Sequence, residues 1–437
     1  MRLKIETVGK VKSADVKLDG LTVIAGENSS GKSTVGKVLF SSIKAVADAR
    51  ENDEKSWEKA INKMVDSLYM RIRGVANRYN NPEIDLYFPI PYRKFTKALI
   101  EADGRGELKK YLVTISEAIN RMEEATPRMK ALMHKDLDNI AIGFMNKDNR
   151  AATFKTIMDY SIESEFMNSI CSYGYDTAKI SLIVNGENNY LDLHIKNEKV
   201  SSIYIDEGEP LSDATYVESP LYIHMLDTLL QAETFREADV RRFYRRSMLP
   251  IHIKDLAEKI DGLKMTSGTT SLLEQLKISN IIQGEFKYIP NTRRLVFQQN
   301  GNDISPINVA SGIKSFGLVQ MLLQTNTISA NKVLIWDEPE NHLHPEWQVA
   351  FAKLLVQLSK MGIPVLVSTH SPYFVQGVRY FAAQQDIENY VSYYLAEIGE
   401  DNLSELKDVT DDLNAIFFKL SKPLNSIMNV DLARPQK

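Results

Sequence analysis

The spacing of hydrophobic and polar residues changes several times along the chain, and each change predicts a change of element. Residues 3–8 alternate apolar side chains with charged or polar ones, whereas 21–25 form an unbroken apolar run. The first pattern suits a strand with one face covered, the second a strand covered on both. A glycine-rich turn at 26–31 follows, and then a helix begins. From about 45 to about 165 the pattern is helical. Trp57, Ile61, Met64, Val65, Leu68, Ile72 and Val75 recur at steps of three, four and seven, which puts them on one helix face. Leu108, Leu112, Ile115, Ile119 and Met122 alternate steps of four and three, the seam of an antiparallel helix pair or short coiled coil. These stripes are expected to pack on each other within the chain.

Strand periodicity returns at 179–184 and 190–195, joined by Asn185-Gly186-Glu187-Asn188-Asn189, a hairpin signal. A second mostly helical stretch runs over about 221–282, and a further hairpin pairs 286–289 with 295–298 around Pro290-Asn291. The remainder alternates: helix at 314–323, strand at 333–336, helix at 345–358, strand at 363–367. Alternation of that kind marks a parallel sheet with helices packed on it. The expected fold is therefore α/β, with a sheet-and-helix body over 1–44 and 176–437 and a helical, coiled-coil-like insertion over 45–175. No internal repeat or low-complexity tract interrupts it.

Composition narrows the function classes. Of 437 residues, 43% are hydrophobic and 25% charged, a mixture that can bury a core. With 53 Lys and Arg against 57 Asp and Glu, bulk charge indicates neither a nucleic-acid coat nor a membrane-surface protein. Cys171 is the only cysteine, so an internal disulfide and a cysteine-rich metal site are excluded, and a buried, inert thiol in a reducing cytoplasm is expected. No run of about 18 apolar residues is present, and charges at Arg2, Lys4 and Glu6 break the pattern that a secretion signal needs.

Candidate chemistry begins at Gly26-Glu27-Asn28-Ser29-Ser30-Gly31-Lys32-Ser33, followed by Thr34. It matches G-x-x-x-x-G-K-[ST] with an apolar strand before it and a helix after it. Glycines let the backbone wrap so that successive amides point at one anion, and the helix start adds its positive dipole end. Lys32 would then reach the β- and γ-phosphates of ATP, and Ser33 would ligate magnesium. Val333-Leu334-Ile335-Trp336-Asp337-Glu338 is a buried-strand run ending in two acids. Asp337 at the sheet's carboxyl edge can hold the magnesium through water, and Glu338 can orient and deprotonate the attacking water. About 300 residues separate Lys32 from Asp337, too many for one compact sheet, so the helical block must project from the body.

Two weaker features flank the acidic strand: Val309-Ala310-Ser311-Gly312-Ile313-Lys314 opening a helix before it, and Ser368-Thr369-His370-Ser371 ending a strand after it. In this order the motifs resemble the ABC-type ATPases, and within them the RecF, SMC and OLD (overcoming lysogenization defect) relatives, over about 3–44 and 179–374. The resemblance implies an ABC-type head, with an antiparallel lobe beside the phosphate-binding sheet. It implies a homodimer in which Ser311 and Gly312 of one copy meet the γ-phosphate held by the other, with His370 as a γ-phosphate switch and 339–344 crossing the interface. The chain departs from transporter subunits: it lacks the second glycine and the glutamine of L-S-G-G-Q after Ser311-Gly312, and has His344 where aspartate is usual. It lacks an assignable glutamine loop as well. Both loops look like the OLD branch, as does Tyr216-Val217-Glu218-Ser219-Pro220. The 67 residues after His370 are too few for the nuclease domain that often ends OLD proteins. The chain is thus similar to stand-alone ATPases of bacterial antiphage operons of the Septu and PARIS kinds. That similarity implies a scaffold or sensor, as a homodimer or a higher oligomer, working with a separate nuclease. The alternatives are a RecF- or SMC-like repair ATPase that binds DNA and a non-hydrolysing, ATP-clamped structural protein.

Two further clusters carry weaker signals. His342 and His344 beside Glu340 alternate on a turn and point apart, which argues against a zinc site. Arg236, Arg241, Arg242, Arg245 and Arg246 surround Phe243 and Tyr244, a patch attractive to DNA phosphates, although Glu233, Glu237 and Asp239 fit a solvated helix face equally well.

Overall fold

The computed structural model describes residues 1–50, 53–79, 92–123, 125–145, 150–184, 188–206, 211–230, 249–266, 271–292, 294–341 and 343–422. The chain divides into two compact units: Met1–Lys44, Ser161–Leu226 and Pro250–Lys437 form the first, and Ala45–Tyr160 with Asp227–Leu249 the second.

The first unit is built on strands β1 (Arg2–Val8), β2 (Val11–Lys17), β3 (Leu21–Gly26), β4 (Thr177–Val184), β5 (Asn188–Lys196), β6 (Lys199–Ile205), β7 (Asp213–Val217), β8 (Glu285–Ile289), β9 (Arg294–Gln299), β10 (Asn302–Ile304), β11 (Lys332–Asp337), β12 (Val365–Thr369), β13 (Val391–Ile398) and β14 (Ser404–Asp408). One sheet has the order β6-β5-β4-β1-β2-β14-β13-β3-β12-β11-β7. Its five strands from β13 to β7 are all parallel, and β6-β5-β4-β1-β2 pair antiparallel throughout. This is a mixed α/β architecture with an antiparallel lobe continuing a parallel half. A small antiparallel sheet, β10-β9-β8, stands apart.

Burial follows the hydrophobic pattern. All six residues of β3 are buried, as expected of a central parallel strand. In β1, Leu3, Ile5 and Val8 are inaccessible while Arg2, Lys4 and Glu6 face out. Trp336 of β11 packs edge-on to Phe351, with ring centroids 4.9 Å apart, and Phe351 packs on Phe316 at 5.1 Å. Helices Ser311–Gln324 and Pro345–Lys360 are thereby fastened to the acidic strand. Each such buried aromatic contributes roughly 1.5–3 kcal/mol through area removed from water. Gly317 admits the Phe286 ring where any Cβ would come within 2.2 Å of it, which joins the small sheet to helix Ser311–Gln324.

In the second unit, helices Asp53–Tyr79, Tyr92–Gly104, Leu108–Arg121 and Pro127–Met145 share one core. Ile61, Val65, Leu68 and Ile72 meet Ile115, Ile119, Met133, Leu137 and Ile140 there. The Trp57 ring stands edge-on to Phe144, and its Nε1 donates to the Gly143 carbonyl at 3.0 Å. The two apolar stripes thus face other helices of the same unit.

The unit boundary differs from the 45–175 span read from the sequence. The body resumes at Ser161 because polar side chains tie that segment to it. Ser161 donates to the Ser41 carbonyl at 3.3 Å, the Ser164 hydroxyl accepts from the Ile251 amide, and Glu165 accepts from the His252 amide. Asp227–Leu249, placed in the ATPase body by its position in sequence, groups with the second unit. The strands that complete the sheet, β13 and β14, come from the C-terminal stretch beyond the last motif.

Candidate active site

The phosphate-binding loop joins β3 to helix Lys32–Arg50. Ser29 and Gly31 take left-handed backbone, with φ of 63° and 80°, and this curls the loop over the helix start. A Cβ on Gly26 would lie 2.8 Å from Ser30 Oγ and 3.0 Å from the Ala396 carbonyl, and one on Gly31 would lie 2.9 Å from Val11. Only glycine permits that closeness. Thr34 begins the helical ladder through its amide to the Gly31 carbonyl at 3.1 Å. Asn28 and Ser29 are exposed at the loop tip, Ser33 is half-buried, and Ser30 is buried. The buried Ser30 hydroxyl has no hydrogen-bond partner among the described residues. Lys32, 4% exposed, folds back on its own loop, and its Nζ donates to the Gly26 and Glu27 carbonyls at 3.0 and 2.8 Å.

Asp337 ends β11 and Glu338 follows it. Strand β12 lies between β11 and β3, with Asp337 opposite Ser368 and Ser368 opposite Ile24. This register places both acids and the loop at one carboxyl edge of the parallel half. Glu338 has φ +45°, sparsely populated for a residue with a side chain; its amide is held by the Ser368 carbonyl at 3.0 Å. Its carboxylate lies 3.7 Å from Lys32 Nζ and accepts from Asn341 Nδ2 at 3.1 Å.

Asp337 is 9% exposed and is held from two sides. The Ser368 hydroxyl donates to one carboxylate oxygen and the Tyr216 phenol, on β7, donates to the other at 3.0 Å. Burial, and then the neighbouring Asp337, push the Tyr216 phenol far above its ordinary value, so it stays protonated and donating. Neither partner is legible in the sequence. Tyr216 and Ser368 lie within recognisable sequence motifs, but nothing in their spacing reveals that β7 and β12 flank β11.

His370 Nδ1 stands 3.5 Å from Glu338 and 3.2 Å from Glu340. Glu340 is turned inward and accepts from the Thr369 hydroxyl at 2.7 Å and from the His370 and Ser371 amides at 2.6 and 3.1 Å. Burial raises its carboxyl above the ordinary value, against the pull of the Thr369 and His370 hydrogen bonds. Glu340 thus fixes the turn that presents His370. His344 is the cap of helix Pro345–Lys360, accepting from the Glu346 amide at 3.4 Å; His342 lies outside the described residues.

Ser311 and Gly312 open helix Ser311–Gln324, with Ala310 at the cap position; the serine is the helix's first residue, not its cap. A Cβ on Gly312 would meet Trp347 at 2.9 Å and Leu343 at 3.2 Å. Lys314, one turn along, is buried with Nζ 3.2 Å from His224 Nδ1, and burial lowers its ammonium below the ordinary value. Arg236, Arg241, Arg242, Arg245 and Arg246 lie outside the described residues. Cys171 is buried, and burial raises its thiol.

A strand, a glycine-bearing loop with a buried lysine, and paired acids two strands away define a P-loop nucleotide-binding protein. The AAA ATPase domain family matches residues 1–375, and the chain belongs to that family. No curated protein sequence matches it. Among solved structures it is similar to an SMC head domain from Thermotoga maritima, at 10% identity over 93% of this chain and 98% of that one, with a TM-score of 0.37. A second is an Smc head domain with an extended coiled coil bound to the C-terminal domain of ScpA, derived from Pyrococcus furiosus, at 10% identity over 98% of each chain and a TM-score of 0.39. A third is an Smc head bound to the C-winged helix domain of ScpA, at 9% identity over 95% and 98%, with a TM-score of 0.40. Among the described residues, no helix is long and apolar enough to cross a membrane.

Proposed function

We propose that the chain binds and hydrolyses ATP at this edge of the sheet, and that each site is completed by a second copy of the chain. The observation that carries the reading is the meeting of Lys32, Asp337 and Glu338 within one constellation. The residues fit a magnesium-bound triphosphate. A glycine cradle leaves room for phosphate oxygens, the buried Ser30 hydroxyl is unpartnered, and Ser33 with Asp337 offers the hard oxygen donors that magnesium prefers. The loop amides and Lys32 would hold the phosphates, and Ser33 and Asp337 the metal, whose charge neutralises the leaving phosphate. Glu338 accepts the proton of the attacking water. His370, held by Glu340, stands beside Glu338 to contact the γ-phosphate.

Ser311 and Gly312 open helix Ser311–Gln324, and their resemblance to the serine-glycine signature of ABC-type ATPases supports a role in the second copy's site. In that reading ATP draws two chains head to tail and hydrolysis releases them. The chain acts as an ATP-dependent scaffold or sensor of an antiphage assembly, with cleavage performed by a separate nuclease. The resemblance of both loops to the OLD branch supports this.

Mixing Lys32→Ala chains with Ser311→Ala chains tests the composite site. A heterodimer keeps one complete site of two, so the mixture regains turnover that neither variant has alone. A mixture as inactive as its parts would overturn the composite arrangement.

A further inference from the structure

His252 is the second residue of helix Ile251–Asp261 and is fully buried. Its Nδ1 lies 2.6 Å from Glu165 and its Nε2 3.1 Å from Glu218, which also accepts from the Tyr222 phenol at 2.8 Å. An imidazole clasped by carboxylates at both nitrogens cannot turn without leaving a buried charge unpaired, a costly state. The ring is also packed against Tyr216, centroids 4.7 Å apart at 66°, with Phe40 edge-on to His252 at 6.2 Å. Glu218 directly follows β7, the strand that carries Tyr216. The imidazole therefore grips the end of β7 twice, by the Tyr216 ring and by Glu218, and Tyr216 is the residue that donates to Asp337.

The far end of β7 is gripped by the same helix. Lys259 donates to the Ala214 carbonyl at 2.7 Å and pairs with Asp213 at 2.9 Å and Asp255 at 2.7 Å. The chain re-enters this unit at Ser161 and at Pro250. Glu165 and His252 stand a few residues after those points, and the Ser164 hydroxyl accepts from the Ile251 amide at 3.0 Å. The clasp thus lies where both returning segments are anchored.

We infer that His252 is a positioning residue of the nucleotide site: fixed by Glu165 and Glu218, it holds the Tyr216 phenol against Asp337 and so sets how that carboxylate takes up magnesium. The inference rests on the reading of Asp337 as the metal-holding acid. Groups behind a metal ligand orient it, and their loss costs about 10–100-fold in metal affinity.

The experiment is equilibrium binding of labelled ATP to the full chain, with and without magnesium. His252→Gln, Tyr216→Phe and the double variant are compared with the unaltered protein. Binding without magnesium is expected to stay within about twofold, whereas the gain in affinity on adding magnesium falls about tenfold in each single variant. The double variant loses no more than either, because both act through one contact. Glu165→Gln preserves shape, and the same loss is expected there if His252→Gln does not fold. An unchanged magnesium gain in folded His252→Gln or Glu165→Gln, or losses that multiply in the double variant, overturns the inference. Failure of the unaltered chain to bind ATP under either condition would instead strike down the nucleotide-site reading itself.

Discussion

Lys32 Nζ and the Glu338 carboxylate stand 3.7 Å apart, although one follows β3 and the other β11. The lysine is buried and the glutamate only partly so, with side-chain exposures of 3% and 26%. The proposed phosphate-binding cation and the proposed water-activating carboxylate are thus held as neighbours by the strand between them, and each can be removed with the other in place.

Lys32→Ala should abolish ATP binding, measured by equilibrium titration. Glu338→Gln should keep binding but slow turnover by about 10²–10⁴-fold, the usual contribution of a general base. It should also accumulate an ATP-bound dimer in size-exclusion chromatography. Turnover at the unaltered rate in Glu338→Gln would remove the glutamate from its assigned role.

Gly312→Ala drives a methyl group to 2.9 Å from the Trp347 ring. Overpacking of that kind costs about 1–3 kcal/mol, read as a lowered denaturant midpoint. ATP-dependent dimerisation should weaken by more than ATP binding to the single chain, since the helix start that moves is the one assigned to the second copy's site in the proposed dimer.

Glu340→Ala strips three donors, the Thr369 hydroxyl and the His370 and Ser371 amides, of a buried acceptor. The Ser371 amide keeps the Thr369 hydroxyl as a second acceptor at 3.1 Å, and the other two donors, once stranded, cost on the order of 1–3 kcal/mol each. Glu340→Gln retains an acceptor oxygen and removes a charge that burial disfavours, so it should be far milder in chemical denaturation, while Glu340→Ala also loses the placement of His370.

Stability should depend on pH through the His252 clasp. Glu218 is lowered from 4.5 to about 2 by the His252 hydrogen bond, against burial and with help from Tyr222. Its stabilisation is present above 4.5 and is lost as pH falls toward 2. Burial pulls the His252 imidazole down, but hydrogen bonds to Glu165 and Glu218 outweigh it and the net displacement from 6.5 is upward. That contribution is complete below 6.5 and is lost as pH rises through the raised value. Thermal unfolding of the unaltered chain should therefore show a plateau between these limits, and His252→Gln should remove the decline on its alkaline side.

Much of this protein was legible in one dimension because the relevant chemistry is local. The loop from Gly26 to Ser33 declares itself by spacing, since in a phosphate-binding loop the glycines, lysine and serine serve one anion from nearby backbone positions. The run ending at Asp337-Glu338 declares itself because a strand buried on both faces must be apolar until it reaches the sheet edge. The helical stripes from Trp57 to Val75 and Leu108 to Met122 followed from the 3.6-residue period alone.

Tertiary structure decided everything that depends on strand order. That β12 separates β11 from β3, and that β7 closes the far side, makes Ser368 and Tyr216 the partners of Asp337; hydrogen-bonded neighbours in a parallel sheet leave no periodic signal in the sequence. The C-terminal strands β13 and β14 fill the sheet beside β3, and no motif marks them. The unit boundary at Ser161 and the clasp of Glu165, His252 and Glu218 arise from side chains 34 and 87 positions apart. Burial, not sequence, turns an ordinary histidine into a fixed strut, because His252 and Glu165 are both closed to water and cannot exchange each other for solvent.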